Sequence, residues 1–135
     1  MNVLINIDVE DLSKAVTFYA QAFDMRIGRR LVGGAVEMLG APVPIYLLEK
    51  APGSKASDTS NVTRTYQRHW TPVHLDIVVG DIESAVHKAL TAGAKQEGSV
   101  QSNTWGKLAL MSDPFGNGFC LVQFVGSGYD EIAVR

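Results

Sequence analysis

The sequence predicts an α+β fold built from two tandem βαβββ units. The first observation is an internal repeat: residues 3–22 align without gaps with residues 73–92, and about a third of the aligned positions are identical. The second is that each copy passes from alternating apolar residues, typical of a strand, to apolar residues at helical spacing. A duplicated supersecondary unit constrains the fold, and it pairs the positions that should be compared when a functional site is sought.

Each copy opens with a predicted strand, over 3–9 in the first and 73–79 in the second, because β-branched residues alternate there with other residues. Asp11 and Asp81 follow these strands, and each aspartate can cap the free N–H groups of the helix that comes next. Gly93 is a plausible stop for the second helix. The first helix has no equivalent glycine, so its end is less clearly marked.

Three further strand-like segments complete each unit, separated by turns that contain glycine and proline. The sequence DPFGNG at 113–118 is typical of a tight chain reversal and indicates the fold rather than a catalytic site. We therefore expect a single domain over 1–135, with units at about 1–50 and 72–126 and a linker at 51–71 that begins like a mobile loop. The further predicted strands are 25–32, 35–39 and 44–49 in the first unit, and 95–101, 107–112 and 118–124 in the second.

Composition and charge exclude several classes of protein. The chain has 135 residues, of which 46% are apolar, enough for one domain with a core. The formal net charge is -2 without a basic cluster, which indicates neither a nucleic-acid partner nor an anionic membrane surface. No apolar run reaches the roughly 20 residues that cross a bilayer, and the acidic start does not resemble a signal peptide. The single cysteine, Cys120, excludes an internal disulfide and fits a cytoplasmic location.

Three sequence strings resemble those of a known superfamily. VEDLSKAVTFY follows the first strand, HLDIVVGDIESAV spans the second repeat, and DPFGNGFCLVQF lies near the end. With the order of elements, they resemble the vicinal oxygen chelate superfamily, which includes glyoxalase I, extradiol dioxygenases and bleomycin-resistance proteins. The resemblance implies an open, curved mixed sheet, an incomplete barrel around a cup-like cleft. Similar short proteins are commonly homodimers, so a homodimer is expected.

The resemblance also locates where a metal would sit. Metal-dependent members carry one ligand on the first strand and one on the last strand of each unit, which correspond here to Leu4, Tyr46, His74 and Cys120. Leucine cannot ligate a metal, and one histidine with one cysteine falls short of a three-ligand catalytic zinc site. We therefore predict no metal site and no cofactor. Glu49 is close to Tyr46, but the odd spacing places it on the opposite face unless a bulge intervenes.

Strand parity assigns the residues that face the cleft. The resulting lining is apolar and aromatic with a few polar groups, which is the character of pockets for organic molecules. Trp70 either anchors the linker or covers the cleft. Trp105 either stacks on a flat ligand at the mouth of the cleft or packs at its rim on the partner unit. The predicted ligand-binding residues are Asn6, Tyr46, Leu48, Trp70, His74, Asp76, Trp105, Cys120, Val122 and Phe124.

Each of these residues has a structural alternative. His74 is equally well explained as a core histidine hydrogen-bonded to Asp76 or to a backbone carbonyl, and Tyr46 and Phe124 are more often packing residues. Cys120 is more often a small buried side chain than a nucleophile. A final set of linker residues either meets an anionic ligand or is an ordinary solvated stretch, and the second interpretation is preferred. This set consists of Arg64, Tyr66 and Arg68.

The leading functional hypothesis is a metal-independent protein of the bleomycin-resistance-like branch that binds an apolar or aromatic organic molecule. The alternative is a glyoxalase-like lyase or isomerase, or a dioxygenase, in which His74 acts as general base or a non-standard metal site forms. A third hypothesis is a sensing or interaction module without chemistry, which nothing in the sequence separates from the first. Whether the protein is an enzyme is therefore open, and the sequence does not name the ligand.

Overall fold

The computed structural model describes residues 1–134 and divides the chain into two compact units. The first covers Met1–Gln67, and the second begins at Arg68. The boundary falls inside the predicted linker, so most of 51–71 belongs to the first unit. Both units contain one helix and one open mixed sheet, which confirms the predicted α+β class.

The first unit contains four strands and one helix. Its sheet has the order β1-β4-β3-β2, with β1 parallel to β4 and the remaining pairs antiparallel. Strand β2 forms one edge of the sheet, and all six of its residues are exposed. The elements are β1 at Ile5–Val9, α1 at Leu12–Phe23, β2 at Arg26–Leu31, β3 at Ala35–Leu39 and β4 at Ile45–Glu49.

The second unit repeats this topology with one difference. Its sheet has the order β5-β9-β8-β6, with β5 parallel to β9, and β7 pairs with the other end of β8. The strand predicted at 95–101 is therefore wrong as a continuous element: Gly98, at a φ of 81°, interrupts it. The elements are β5 at Leu75–Val78, α2 at Ile82–Ala92, β6 at Lys95–Gln96, β7 at Gln101–Asn103, β8 at Gly106–Ser112, β9 at Gly118–Phe124 and a 3₁₀ helix at Gly128–Ile132.

Both helices begin and end by local rules. Asp11 accepts a hydrogen bond from the backbone N–H of Lys14, and Asp81 accepts one from Ser84, so both predicted caps are confirmed. Gly93 ends α2 in the left-handed region. Asp24 ends α1 in the same conformation at a φ of 54°, an uncommon choice that aspartate tolerates better than most residues.

A second pair of equivalent contacts joins each helix to the last strand of its unit. The Glu49 carboxylate accepts a hydrogen bond from Leu12 N at 2.8 Å, and the Gln123 side chain accepts one from Ile82 N at 2.8 Å. These positions correspond across the repeat. The contact places Glu49 at the start of α1, on the side of the sheet away from Tyr46, as strand parity predicted.

Each sheet packs one of its two faces on the helix of the same unit. In the second unit, Phe119 and Leu121 on β9 face α2 together with Met111 and Ala109, and all four are buried. In the first unit, the buried set against α1 comes from β3 and β4. It consists of Val36, Met38, Ile45 and Leu47. The faces opposite the helices carry the residues predicted to bind ligand.

The linker is more ordered than a mobile loop. Arg64 is only partly exposed; its Nε donates to Asp8 Oδ2 at 2.7 Å, and its Nη1 donates to Ser54 Oγ at 3.2 Å. Tyr66 donates its hydroxyl proton to the Lys50 carbonyl at 2.6 Å. The prediction that Arg64 and Tyr66 belong to a solvated stretch is therefore wrong. None of the helices described within 1–134 is long and apolar enough to span a membrane.

Candidate functional site

A polar cluster lies on the sheet face of the second unit that points away from α2. His74, just before β5, approaches Asp76 with its Nε2 3.1 Å from Oδ1. Asp76 pairs in register with Cys120 on β9, so the carboxylate and the thiol share this face. The His74 side chain is 52% exposed, so its interpretation as a core histidine is wrong, although the expected bond to Asp76 is present.

The thiol of this cluster is held in its neutral form. Burial, and then the charge of Asp76 and its hydrogen bond with the thiol, raise the pKa of Cys120 to about 11. A thiol that stays protonated at neutral pH is a poor nucleophile, because the thiolate is the reactive species. Cys120 therefore contributes shape and one hydrogen bond to this face rather than nucleophilic chemistry.

An ion pair flanks the cluster at the start of β9. Arg68 donates from Nε to Glu97 Oε2 at 2.7 Å and from Nη2 to Glu97 Oε1 at 3.1 Å. This pairing raises the pKa of Arg68 and lowers the pKa of Glu97, and both groups stay charged. Gly118 makes room for the guanidinium, since a Cβ there would lie 2.7 Å from Arg68 Nη2. Arg68 is exposed, as expected for a solvated stretch, and it also forms this ion pair.

An aromatic cluster lies at the other end of β9. Phe124 shares the face of Cys120 and Val122, and Trp105 directly precedes Gly106, which pairs with Phe124. Tyr129, on the 3₁₀ helix, brings its ring centroid to 4.8 Å from that of Phe124 and 5.1 Å from that of Trp105. The last element predicted from the sequence ends at 124, so Tyr129 was not predicted. The available signal was an aromatic residue that follows two glycines and precedes two acidic residues.

The first unit places a charged network on the corresponding face. Glu37 is buried, and its Oε2 accepts from Arg29 Nη2 at 2.8 Å and from the Tyr46 hydroxyl at 2.9 Å. Its Oε1 accepts from Arg29 N and Nε, each at 3.1 Å. Tyr46 was predicted to contact ligand, and its hydroxyl is already engaged here. Sequence analysis missed Glu37, whose signal was a lone carboxylate inside the apolar strand AVEML.

The Glu37 carboxylate in this network makes the free energy of unfolding depend on pH. Hydrogen bonds from Arg29 and then from Tyr46 lower the pKa of Glu37 from 4.5 to about 2. A carboxylate whose pKa is lower in the folded state stabilises the fold fully above its ordinary pKa. That stabilisation is lost as the pH falls from about 4.5 through about 2.

We expect Glu37→Gln to lower the melting temperature at neutral pH by several degrees, because one amide cannot accept all four hydrogen bonds. The variant should also lose less stability than the wild type when the pH is lowered below 4.5. Urea denaturation across this range measures both effects. Glu10→Gln, at an exposed position, is the matched control and should retain the wild-type pH dependence. Parallel pH curves for the wild type and Glu37→Gln would contradict the assignment.

Comparison with known proteins fits this architecture. A family model of the glyoxalase-like domain matches residues 4–122. The chain belongs to the glyoxalase-like domain family. This membership confirms the predicted relation to the vicinal oxygen chelate superfamily.

Relatives of this glyoxalase-like chain extend over most of its length. An uncharacterized protein of Mycobacterium bovis is 29% identical, over 92% of this chain and 84% of the relative. Among solved structures, a glyoxalase/bleomycin resistance protein/dioxygenase family enzyme of Burkholderia phytofirmans has a TM-score of 0.69 at 18% identity, covering 90% of this chain and 97% of its own. The fosfomycin resistance protein FosX of Listeria monocytogenes has a TM-score of 0.71 at 15% identity and 98% coverage of both chains. Such low identities show a shared fold alone.

The family raises the question of a metal, and the second unit offers a donor set. Ligand atoms of His74, Asp76 and Cys120 lie within 4.8 Å of one another, so Asp76 supplies the third ligand that the sequence count lacked. Three donors of these types meet the minimum for a catalytic zinc site. The equivalent positions of the first unit add none, because Leu4 has no donor atom and the Tyr46 hydroxyl bonds Arg29 and Glu37. The set fits a borderline divalent cation only if Cys120 loses its proton on binding.

The other residues predicted to bind ligand have varied surroundings. In the glyoxalase-like first unit, Asn6 is exposed and pairs in register with Tyr46, and Leu48 is partly exposed on the same face. In the second unit, Val122 lies on the predicted face but is buried, as is Cys120. Trp70 is largely exposed, so it does not anchor the linker by burial. The structure thus joins His74 with Asp76 and Cys120, and Trp105 with Phe124.

Proposed function

We propose that this glyoxalase-like protein is a metal-independent binder of an apolar or aromatic organic molecule, and that it works as a homodimer in the cytoplasm. The observation that supports this proposal most is the exposed apolar surface on the face formed by β5 and β9 in the second unit. Val78 is 61% exposed beside the His74–Asp76 pair, and Phe124 is 38% exposed at the far end of β9 on the same face. Exposed apolar surface beside a few oriented polar groups is the usual composition of a site for an organic ligand.

The experiment uses N-phenyl-1-naphthylamine, an uncharged aromatic probe that fluoresces when it leaves water. The wild-type protein should bind it in a saturable manner. Val78→Asp should weaken binding about tenfold or more, because it places a charge in the apolar contact. Leu90→Asp is the matched control, since Leu90 is also an exposed apolar residue, at 41%, but lies on α2, and it should bind the probe as the wild type does. Equal affinity in all three proteins would overturn this site.

Metal independence is tested on the same protein. Treatment with EDTA should leave probe affinity and melting temperature unchanged, and added Zn²⁺ should not raise the melting temperature in a stoichiometric manner. A stoichiometric metal in the purified protein, or probe binding that requires Zn²⁺, would contradict the proposal. Light scattering of the purified protein tests the homodimer.

The second candidate is a lyase or isomerase in which His74 is the general base. The observation that favours it is the contact between His74 Nε2 and Asp76 Oδ1, because a carboxylate partner fixes the orientation of the imidazole. In this candidate, Zn²⁺ held by His74, Asp76 and Cys120 would supply Lewis-acid chemistry instead of the base. For any compound that stabilises the protein, loss of turnover in His74→Ala with retained binding would support an enzyme.

A further inference from the structure

We infer that the C-terminal turn, residues 125–132, is a built part of the binding surface. The turn positions the Tyr129 ring to contact the ligand. Together with His74 and Asp76 at the opposite end of the face, it favours an aromatic molecule that carries an amine at the end away from the ring. The inference rests on the proposed function and specifies its ligand class. All residues involved belong to the second unit.

The C-terminal turn is held by defined contacts. Glu131 Oε1 accepts hydrogen bonds from Ser127 N at 3.1 Å and Ser127 Oγ at 2.7 Å, and these bonds lower the pKa of Glu131. Gly128 is buried at a φ of 63°, and a Cβ there would lie 3.2 Å from the Phe124 ring. The backbone of the turn therefore lies directly against Phe124, and a Cβ at Gly128 would require the ring to shift.

The contacts of the turn hold the Tyr129 ring in place while part of its surface stays exposed to solvent. The Tyr129 ring meets Phe124 edge-on at an interplanar angle of 79°, and it also contacts Trp105. Tyr129 is nevertheless 50% exposed, and Phe124 keeps 38% of its surface exposed. The centroid separations of 4.8–6.3 Å leave no space for a ligand between the rings, so a ligand stacks on their outer faces.

The opposite end of the same face presents hydrogen-bond acceptors. His74 directs Nε2 toward Asp76 Oδ1, so in the neutral imidazole Nε2 carries the proton and Nδ1 is an acceptor. Asp76 adds a carboxylate whose side chain is 40% exposed. The neighbouring charges of Arg68 and Glu97 compensate each other. The polar end therefore favours a cationic or neutral N–H donor.

The spacing between the two ends defines the length of the ligand. Cys120, which pairs with Asp76, lies four residues before Phe124 on β9, and at about 3.3 Å per residue the ends are separated by about 13 Å. Because Val122 is buried, the path between them follows β5, where Val78 is exposed. A flat ring joined to an amine by an extended chain matches this arrangement.

Dansylcadaverine, a dansyl ring with a primary amine on an alkyl chain, is the probe, and N-pentyl dansylamide, which lacks the amine, is the matched ligand. The protein carries Trp70→Phe so that energy transfer to dansyl comes from Trp105 alone. The amine-bearing probe should bind about tenfold more tightly than its analogue, and Asp76→Asn should remove this preference. Tyr129→Ala should weaken both dansyl compounds about fivefold, as expected for a lost aromatic contact.

The role of the turn is tested through a residue that does not touch the rings. Glu131→Ala should weaken both dansyl compounds as Tyr129→Ala does, whereas Asp130→Ala, the neighbouring exposed position, should leave affinity unchanged. Circular dichroism verifies that each variant is folded. This inference would be overturned if folded Tyr129→Ala bound the dansyl compounds with unchanged affinity, or if the protein bound the two dansyl compounds equally well. The proposed function would still stand in that case, provided that the wild type binds N-phenyl-1-naphthylamine. If the wild type did not bind N-phenyl-1-naphthylamine, both this inference and the proposed function would be overturned.

Discussion

Replacing Gly106 with alanine is expected to destabilise the protein by about 3 kcal/mol or more, because the added methyl group meets backbone rather than a movable side chain. A Cβ at this position would overlap the Gln123 carbonyl oxygen and would lie 3.0 Å from Phe124 Cα. Gly106 pairs with Phe124 at the first position of β8, so relief requires the two central strands of the second sheet to separate.

Urea denaturation gives the loss directly, and Gly80→Ala is the matched control. No heavy atom lies within 4 Å of a Cβ built at Gly80, so this substitution should change stability by less than about 0.5 kcal/mol. If Gly106→Ala were as stable as Gly80→Ala, the close approach of β8 and β9 at this point would be wrong. Since Trp105 precedes Gly106, folded Gly106→Ala protein should also show altered tryptophan emission.

Replacing Asp113 with alanine is expected to cost about 3–5 kcal/mol, because it leaves buried N–H groups without acceptors. Asp113 is only 2% exposed. Its Oδ1 accepts from Phe115 N at 2.8 Å and Asn117 N at 2.9 Å, and its Oδ2 accepts from Asn117 Nδ2 at 3.0 Å. The carboxylate thus organises the whole reversal between β8 and β9.

Asp113→Asn separates the hydrogen bonds of this side chain from its size. The amide oxygen can still accept from Phe115 N and Asn117 N, but the amide nitrogen cannot accept from Asn117 Nδ2. The expected loss is therefore smaller, about 1–2 kcal/mol. Urea denaturation midpoints rank the three proteins, and equal stability of Asp113→Ala and Asp113→Asn would show that the accepted backbone bonds contribute little.

Local rules account for much of the fold that could be predicted from the sequence. The repeat, the strand alternation and the two capping aspartates identified both βαβββ units, because these signals act within a few residues of one another. The interruption at Gly98 was missed, since an isolated glycine in a strand pattern does not reveal whether pairing stops. The order of 51–67 was missed because it depends on Arg64 reaching Asp8, 56 positions away in the chain.

Strand parity predicted which residues of the candidate site share a face of the sheet, but not how their surroundings bury or engage them. Parity placed His74, Asp76 and Cys120 on one face, and the structure brings their ligand atoms together. It could not show that Val122 is buried or that Tyr46 is engaged by Glu37, because both facts depend on neighbouring strands and loops. Tyr129 lay beyond parity altogether, since its position depends on the turn after β9 rather than on a strand.

The exposed edge strand β2 has a consequence for how the protein behaves at high concentration. An open edge offers its N–H and C=O groups to any other chain, and Arg26 and Arg30 add positive charge along β2, whereas the charge of Arg29 is compensated by Glu37. Two copies that met edge to edge would bring these like charges together, so the strand repels itself. Salt screens such repulsion over about 10 Å at 0.1 M. We therefore expect association of two copies through β2 to increase as ionic strength rises.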